Sequence, residues 1–314
     1  MAKMKKKKDL YSEWLFFLLL YHIIKLLPRS WGKRLGRALG YLIYRVDRSH
    51  RQLALKNLAL AFSQSLNLEE RKKIAAASFK HFGEMMADFL KYSSLPPAKR
   101  RSLIRAQGLE YFYQAMSHQK GVIIISAHYG NWEVASYFLS LLGSLNVVAR
   151  PLDNHLLEKI LRKIRTSLGA KIIYKYEAAR PILRSLKNKE IVVLLIDQNV
   201  LEDTAVFVDF FGCPAATTPA AAILALRSQA PLLPAFCQPT PQGDFLVEFK
   251  PPLFPPQEEG YREEQILQIT QRCTKIIESQ IKKAPEYWMW FHNRWKTRPS
   301  SPNKTPHEVD YESQ

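Results

Sequence analysis

Between Gly121 and Phe249 the chain alternates short β-branched runs with helical stretches. The runs are "GVIII", "LNVVAR", "AKIIY", "EIVVLLI", "PLLPAF" and "DFLVEF"; among the stretches between them are "NWEVASYFLSLL", "NHLLEKILRKIRTSL" and "TPAAAILALRSQ". This rhythm restricts the fold more than any other feature. A strand followed by a helix returns the chain to the same sheet edge, so the expected body is α/β, with helices covering both sheet faces. Near-continuous apolar strands such as "IVVLLI" suit central positions buried on both sides. Upstream, "SHRQLALKNLALAF" and "LEERKKIAAASFKHFGEMMADFLKY" have helical apolar spacing, and "SSLPP" at Ser93–Pro97 ends the second. Downstream, a long amphipathic helix stops at Pro285, and an aromatic-basic segment follows. Three parts are expected: a basic, apolar segment 1–46, an α/β domain with a helical lead-in over 47–298, and a polar, disordered tail 299–314.

Charge bears on partners. The net charge is +18, and residues 1–60 hold 14 Lys/Arg against 3 Asp/Glu. Either nucleic acid or an anionic membrane surface would attract such a chain. The neighbouring residues favour the membrane. "MAKMKKKKD" leads into "LYSEWLFFLLLYHIIKLL", and then into "PRSWGKRLGRALGYLIYRV", rich in Arg, Lys, Trp and Tyr. No small-residue cleavage site follows, as a signal peptide would require. The apolar run is short of the roughly 20 residues that span a bilayer. Leu10 to Val46 is therefore expected to be a membrane anchor, either one tilted helix or a helix lying in the interface. A basic helix packed on the body is the alternative. The charge bias places the body on the cytoplasmic side. No zinc finger, RNP aromatic motif or helix-turn-helix supports nucleic-acid binding. Cys213, Cys237 and Cys273 are far apart in sequence and odd in number. That excludes neither redox state alone, but it gives no zinc spacing or disulfide framework, and a reducing compartment is expected.

The chemistry-bearing stretch is "GVIIISAHYGNWEV". A strand ending at Ile125 brings His128 to the carboxyl edge of the sheet, where open α/β sheets hold ligands. Gly130 permits a tight turn, Asn131 can cap a helix starting at Trp132, and Glu133 falls in its first turn. On one continuous helix His128 and Glu133 would diverge by roughly 140°. With the His on the preceding turn, the carboxylate can reach one imidazole nitrogen and fix the tautomer, leaving the other to accept a proton. The competing explanation is plain: an Asn cap and a first-turn Glu occur at helix starts for dipole reasons alone.

Further blocks surround this one. "SAHYGNWEVAS" resembles the H-x4-D/E block of the glycerolipid and lysophospholipid acyltransferase superfamily, and more narrowly that of the late acyltransferases of lipid A biosynthesis. "ARPLDNHLLEKILRKIRTSLGAKII", "LLIDQN", "FVDFFGCPAATTPAAAILALRS" and "PEYWMWFHNRWK" resemble that family's later blocks, in order. The likeness runs from about Arg51 to Lys296 and includes the lead-in "RQLALKNLALAF". It implies a glycerolipid-acyltransferase-like mixed sheet, and acyl transfer from a thioester, usually on acyl carrier protein, to a hydroxyl of a membrane glycolipid. It implies neither metal nor cofactor. His128 would be the base and Glu133 its orienting partner. No G-x-S-x-G elbow suggests a covalent acyl-enzyme. Amides at the start of the Asn131 helix are one source of oxyanion donors.

The resemblance also places Arg150, Asn154, Arg165, Asp197, Thr217, His292 and Arg294 at substrate. Arg165 would bind a phosphate or polarise the thioester, or else belong to a solvated helix face with Arg162 and Lys163. Asp197 ends an apolar strand and should emerge beside His128, unless it merely caps the next segment. "FFGCPAATT" suits the wall of an acyl-chain site, or is a loop capped by Thr217 or Thr218. "EYWMWFHNRW" suits a lipid headgroup site, or closes the core; Asn293 stands where many relatives carry a second Arg. The expected setting is the cytoplasmic face of a cell inner membrane. Other acceptors, such as a phosphatidylinositol mannoside, and esterase or thioesterase activity from the same His are the competing enzyme readings.

Overall fold

A computed structural model describes residues 7–63, 65–176, 178–257 and 262–300. Most of the expected polar tail lies outside them. Helices α1 (Lys7–Leu26), α2 (Arg29–Val46), α3 (Arg48–Ala61) and α4 (Leu68–Tyr92) lead, followed by the short α5 (Pro97–Ser102), strand β1 (Ile104–Gln107) and α6 (Leu109–Ser117). The alternating region then runs β2 (Val122–Ser126), α7 (Trp132–Leu142), β3 (Leu145–Ala149), α8 (His155–Ser167), β4 (Ala170–Tyr174), α9 (Ala179–Lys187) and β5 (Ile191–Leu195). A hairpin of β6 (Val206–Phe210) and β7 (Cys213–Thr217) precedes α10 (Ala220–Ser228), β8 (Leu232–Pro239), β9 (Phe245–Phe249) and α11 (Glu263–Lys283).

Seven strands form one sheet in the order β1-β9-β8-β2-β5-β3-β4. Five run parallel, while β9 opposes β8, and β1 lies alongside β9 in the same direction. The six expected strands are all present, and the alternating rhythm produces the parallel core. Side chains alternate along the central strands. Ile123, Ile125, Val192 and Leu194 join a core with α9, α10, α11 and the C-terminal tryptophans; Val122, Ile124, Ile191 and Val193 join another under α4, α6, α7 and α8. Both faces are covered, which is why "IVVLLI" shows no polar alternation.

Three features differ from expectation. β1 is mostly exposed at the sheet edge, so it lacks the apolar signature of its neighbours. "FVDFFGCPAATT" is an antiparallel hairpin whose buried residues alternate in β6, rather than a loop. The segment 10–46 is two helices broken at Leu27-Pro28, where proline cannot continue the first. Among the described residues no helix is long and apolar enough to cross a membrane. Helix α2 packs on α4 through Gly36 and Gly40, while Gly32 faces Ile24 of α1. A Cβ on Gly36 would stand 2.3 Å from the Gly83 carbonyl oxygen, and one on Gly40 would stand 2.1 Å from that of Phe79. Such backbone-to-backbone approach needs residues without side chains. Helix α1 leaves Leu15, Phe16, Leu19 and Leu26 exposed.

Candidate active site

β2 and β5 are parallel neighbours, with Ser126 paired to Leu195 at their carboxyl ends. His128 lies two residues beyond the first and Asp197 two beyond the second, so the register itself sets them side by side. Asp197 Oδ1 accepts from His128 Nδ1 at 2.9 Å, and Oδ2 accepts from the His128 backbone N–H at 2.9 Å. The Trp288 indole donates to the same Oδ2 at 2.8 Å. Burial opposes the Asp197 charge, but the His128 charge, the His128 side-chain and backbone hydrogen bonds and the indole outweigh it, holding the carboxyl at about 2. A carboxylate at Nδ1 requires the proton there, leaving Nε2 as an acceptor. The Gln198 carboxamide nitrogen stands 3.4 Å from Nε2, and the Trp132 ring meets the imidazole edge-on at 5.1 Å.

The turn between β2 and α7 follows the sequence. Gly130 has φ +60°, Asn131 Oδ1 accepts from the Val134 N–H at 3.1 Å, and α7 begins at Trp132. Gly130 is tightly held: its N–H donates to Tyr287 O at 2.9 Å and its carbonyl accepts from His81 Nε2 at 3.0 Å. The amides of Gly130, Asn131 and Val134 are all engaged, so these three do not supply an oxyanion site.

Glu133 departs from its expected role. Its carboxylate accepts from Arg165, at 2.6 Å from Nη2 and 3.2 Å from Nε, while Asp197 takes the imidazole nitrogen assigned to it. The cause is geometric: α7 carries Glu133 toward α8, and the neighbouring strand end delivers Asp197 to the histidine. Arg165 therefore belongs to a partly buried ion pair, its side chain 21% exposed against 8% for Glu133, rather than to a solvated face. Burial works against its guanidinium charge, but Glu133 outweighs that and raises its pKa.

The remaining expected residues scatter. Arg150 is exposed, its nearest ionic contact Asp153 at 3.3 Å. Asn154 is buried, caps α8 through the Leu156 N–H at 3.1 Å, and donates to Leu10 O at 2.9 Å, tying α8 to α1. Thr217 and Arg294 meet inside the protein. Arg294 donates to the Thr217 hydroxyl and to Ala216 O, and lies over the Phe210 ring at 5.2 Å. Burial lowers the Arg294 pKa to about 10 despite the attraction of Asp197. Arg294, 1% exposed and committed to β7, holds the hairpin and presents no surface to a headgroup. His292 is closer to the site: its Nε2 accepts from the Asn199 N–H at 3.1 Å, and burial lowers its pKa. Sequence alone does not single out Trp288, Gln198 or Trp132. Trp288 sits inside a recognisable block, but nothing in its spacing connects it to Asp197, 91 residues earlier.

A carboxylate-backed imidazole acceptor at an open sheet edge is general-base machinery for activating a hydroxyl, and the surrounding sequence identifies the group transferred. The chain matches the family model for bacterial lipid A biosynthesis acyltransferases over residues 1–297. It is 27% identical to the lipid A biosynthesis palmitoleoyltransferase of Escherichia coli K12, covering 84% of this chain and 85% of the relative. It is 26% identical to the lauroyltransferase of the same strain, covering 91% and 92%, and 24% identical to the myristoyltransferase, covering 86% and 88%. The protein is an acyltransferase, and it belongs to the bacterial lipid A biosynthesis acyltransferase family.

Proposed function

We propose that this enzyme moves a fatty acyl chain from a thioester on acyl carrier protein to a hydroxyl of a lipid A precursor, at the cytoplasmic face of the inner membrane. The observation that carries the mechanism is the 2.9 Å contact between His128 Nδ1 and Asp197 Oδ1. Nε2 removes the acceptor hydroxyl proton as its oxygen attacks the thioester carbonyl. The tetrahedral intermediate collapses, the C–S bond breaks, and the thiolate takes the proton back from the imidazolium. Asp197 fixes the ring and stabilises its charged form. Gln198, whose amide nitrogen adjoins Nε2, is the side-chain donor placed to meet the developing oxyanion. Glu133 and Arg165 lock α7 to α8 beside the turn. The membrane setting is supported by the exposed apolar residues of α1 and by the charge of residues 1–60. The exposed Leu15, Phe16, Leu19 and Leu26 make α1 the segment we place in the interface.

The test uses full-length enzyme, acyl carrier protein thioesters and a lipid A precursor, with products weighed by mass spectrometry. Wild type should yield a lipid heavier by one acyl group, and His128→Ala should abolish it while remaining folded. Free fatty acid as the sole product would replace transfer with hydrolysis. Near-normal transfer by His128→Ala would remove the base.

A further inference from the structure

A groove of about 570 Å³ opens behind the His128 turn, between α2, α4 and the β8–β9 connection. Lys33 and Arg37 come from α2 at i, i+4; Lys73, Ala77, His81 and Glu84 come from one side of α4. Pro239 to Pro241, Gly243, Glu286 and Tyr287 close the remainder. Two facts distinguish this groove from an ordinary charged surface.

First, its wall is joined to the catalytic turn. His81 donates from Nε2 to the Gly130 carbonyl at 3.0 Å, and the Tyr287 carbonyl accepts the Gly130 N–H at 2.9 Å. Both partners of Gly130 thus line the groove, two residues from His128. Because a carbonyl can only accept, Nε2 carries the His81 proton and Nδ1 is left as an acceptor suited to a hydroxyl. Burial lowers the His81 pKa to about 4, so the imidazole is neutral.

Second, the cations exceed what the local carboxylates hold. Glu84 accepts from Lys33 at 3.0 Å and from Arg37 at 3.3 Å, and Arg37 remains 60% exposed. Lys73 has no carboxylate partner among the described residues. Glu286 contributes the second negative charge, leaving an excess of one cation. Ile74, Ala77, Pro239 and Pro241 add apolar lining that fits a carbon skeleton alongside the charged groups.

We propose that this groove is a second binding site, for a phosphate ester carrying hydroxyl groups, seated against the back of the catalytic turn. Its phosphate meets Lys73 and Arg37, and a hydroxyl of its polyol donates to His81 Nδ1. A phospholipid headgroup reaching over α2, beside exposed Trp31, and a soluble phosphorylated polyol share this chemistry.

The experiment titrates glycerol, glycerol 3-phosphate and dihexanoylphosphatidylglycerol calorimetrically into full-length protein in a neutral detergent. Binding is read without turnover, so its outcome is separate from the acyl-transfer reading. One or both phosphate esters should bind saturably and glycerol should not; which ester binds identifies the source. The Arg37→Gln/Lys73→Gln pair should weaken binding at least tenfold, whereas Arg162→Gln/Lys163→Gln on the exposed face of α8 should change it less than twofold. If the double variant is unstable, Lys73→Gln alone, exposed and unpaired, should still weaken binding severalfold. Equal losses from the two pairs, no saturable binding of either ester, or equal binding of glycerol would overturn the site.

Discussion

Asp197→Asn preserves the volume of the side chain and changes only its charge and one acceptor. The amide cannot stabilise an imidazolium, and it can donate to Nδ1, which favours the tautomer with the proton on the wrong nitrogen. Transfer should fall about a hundredfold or more with little change in KM, since loss of a general base costs roughly 10²–10⁴. Glu133→Gln separates two explanations. If Glu133 serves mainly to hold Arg165, the variant should lose melting temperature and activity together, by less than the roughly 3–5 kcal/mol of a fully buried pair, because Arg165 is partly exposed. A large loss of rate at unchanged melting temperature would instead return Glu133 to the histidine. His81 sets a different dependence. Its pKa is about 4 in the folded protein against 6.5 ordinarily, so the unfolded chain takes up the proton first. Its contribution to stability is complete above about pH 6.5 and declines as pH falls toward 4. The melting temperature should drop over that window in wild type, and His81→Gln should flatten the part of the slope that belongs to this residue.

At the scale of elements, the α2–α4 crossing brings two helix backbones into direct contact. Gly36→Leu would bring a Cβ to 2.3 Å from the Gly83 carbonyl oxygen, with the rest of the side chain beyond it. The helices must separate, at a cost of about 1–3 kcal/mol or more. Differential scanning calorimetry should show the loss, and proteolysis should cut the chain near α2 earlier than in wild type. The glycines at 32, 36 and 40 are visible in the sequence as a four-residue repeat. What Gly36 and Gly40 pack against is not, because Gly83 lies on a helix whose apolar pattern explains it equally well as a spacer. The hairpin of β6 and β7 is hidden for a related reason: Pro214 lies among the residues that pair, Gly212 lies in the turn, and β7 is mostly small residues rather than a β-branched run.

Across the whole molecule, distant segments converge on the C-terminal block. Asn57 on α3 donates to Trp290 O at 2.8 Å and to His292 O at 2.7 Å, and Ser78 on α4 donates to Trp288 O at 2.5 Å. These bonds present Trp288 to Asp197 from behind. Asn57→Ala should strand the buried Trp290 carbonyl, at about 1–3 kcal/mol, while that of His292 still accepts from the Arg294 N–H at 2.9 Å, and should lower transfer by more than its effect on melting temperature explains. The check is a rate measured well below the melting transition. The same arrangement accounts for the lead-in helices: they are the wall against which the last block is fixed.

Periodicity determined strands β2 to β5, β8 and β9, helices α3, α4, α7, α8, α10 and α11, and so the parallel core, because apolar spacing reports directly on burial. The position of His128 at a strand end, the Gly130–Asn131 turn and the start of α7 were legible for the same local reason. Partnership was not. Whether His128 pairs with Glu133 or Asp197, and whether Arg294 faces a headgroup or the hairpin, depends on which strand ends lie adjacent and which way each helix turns its side chains. Those are properties of the assembled sheet. Residues 69 positions apart in the chain stand 2.9 Å apart only once β2 and β5 have paired in register.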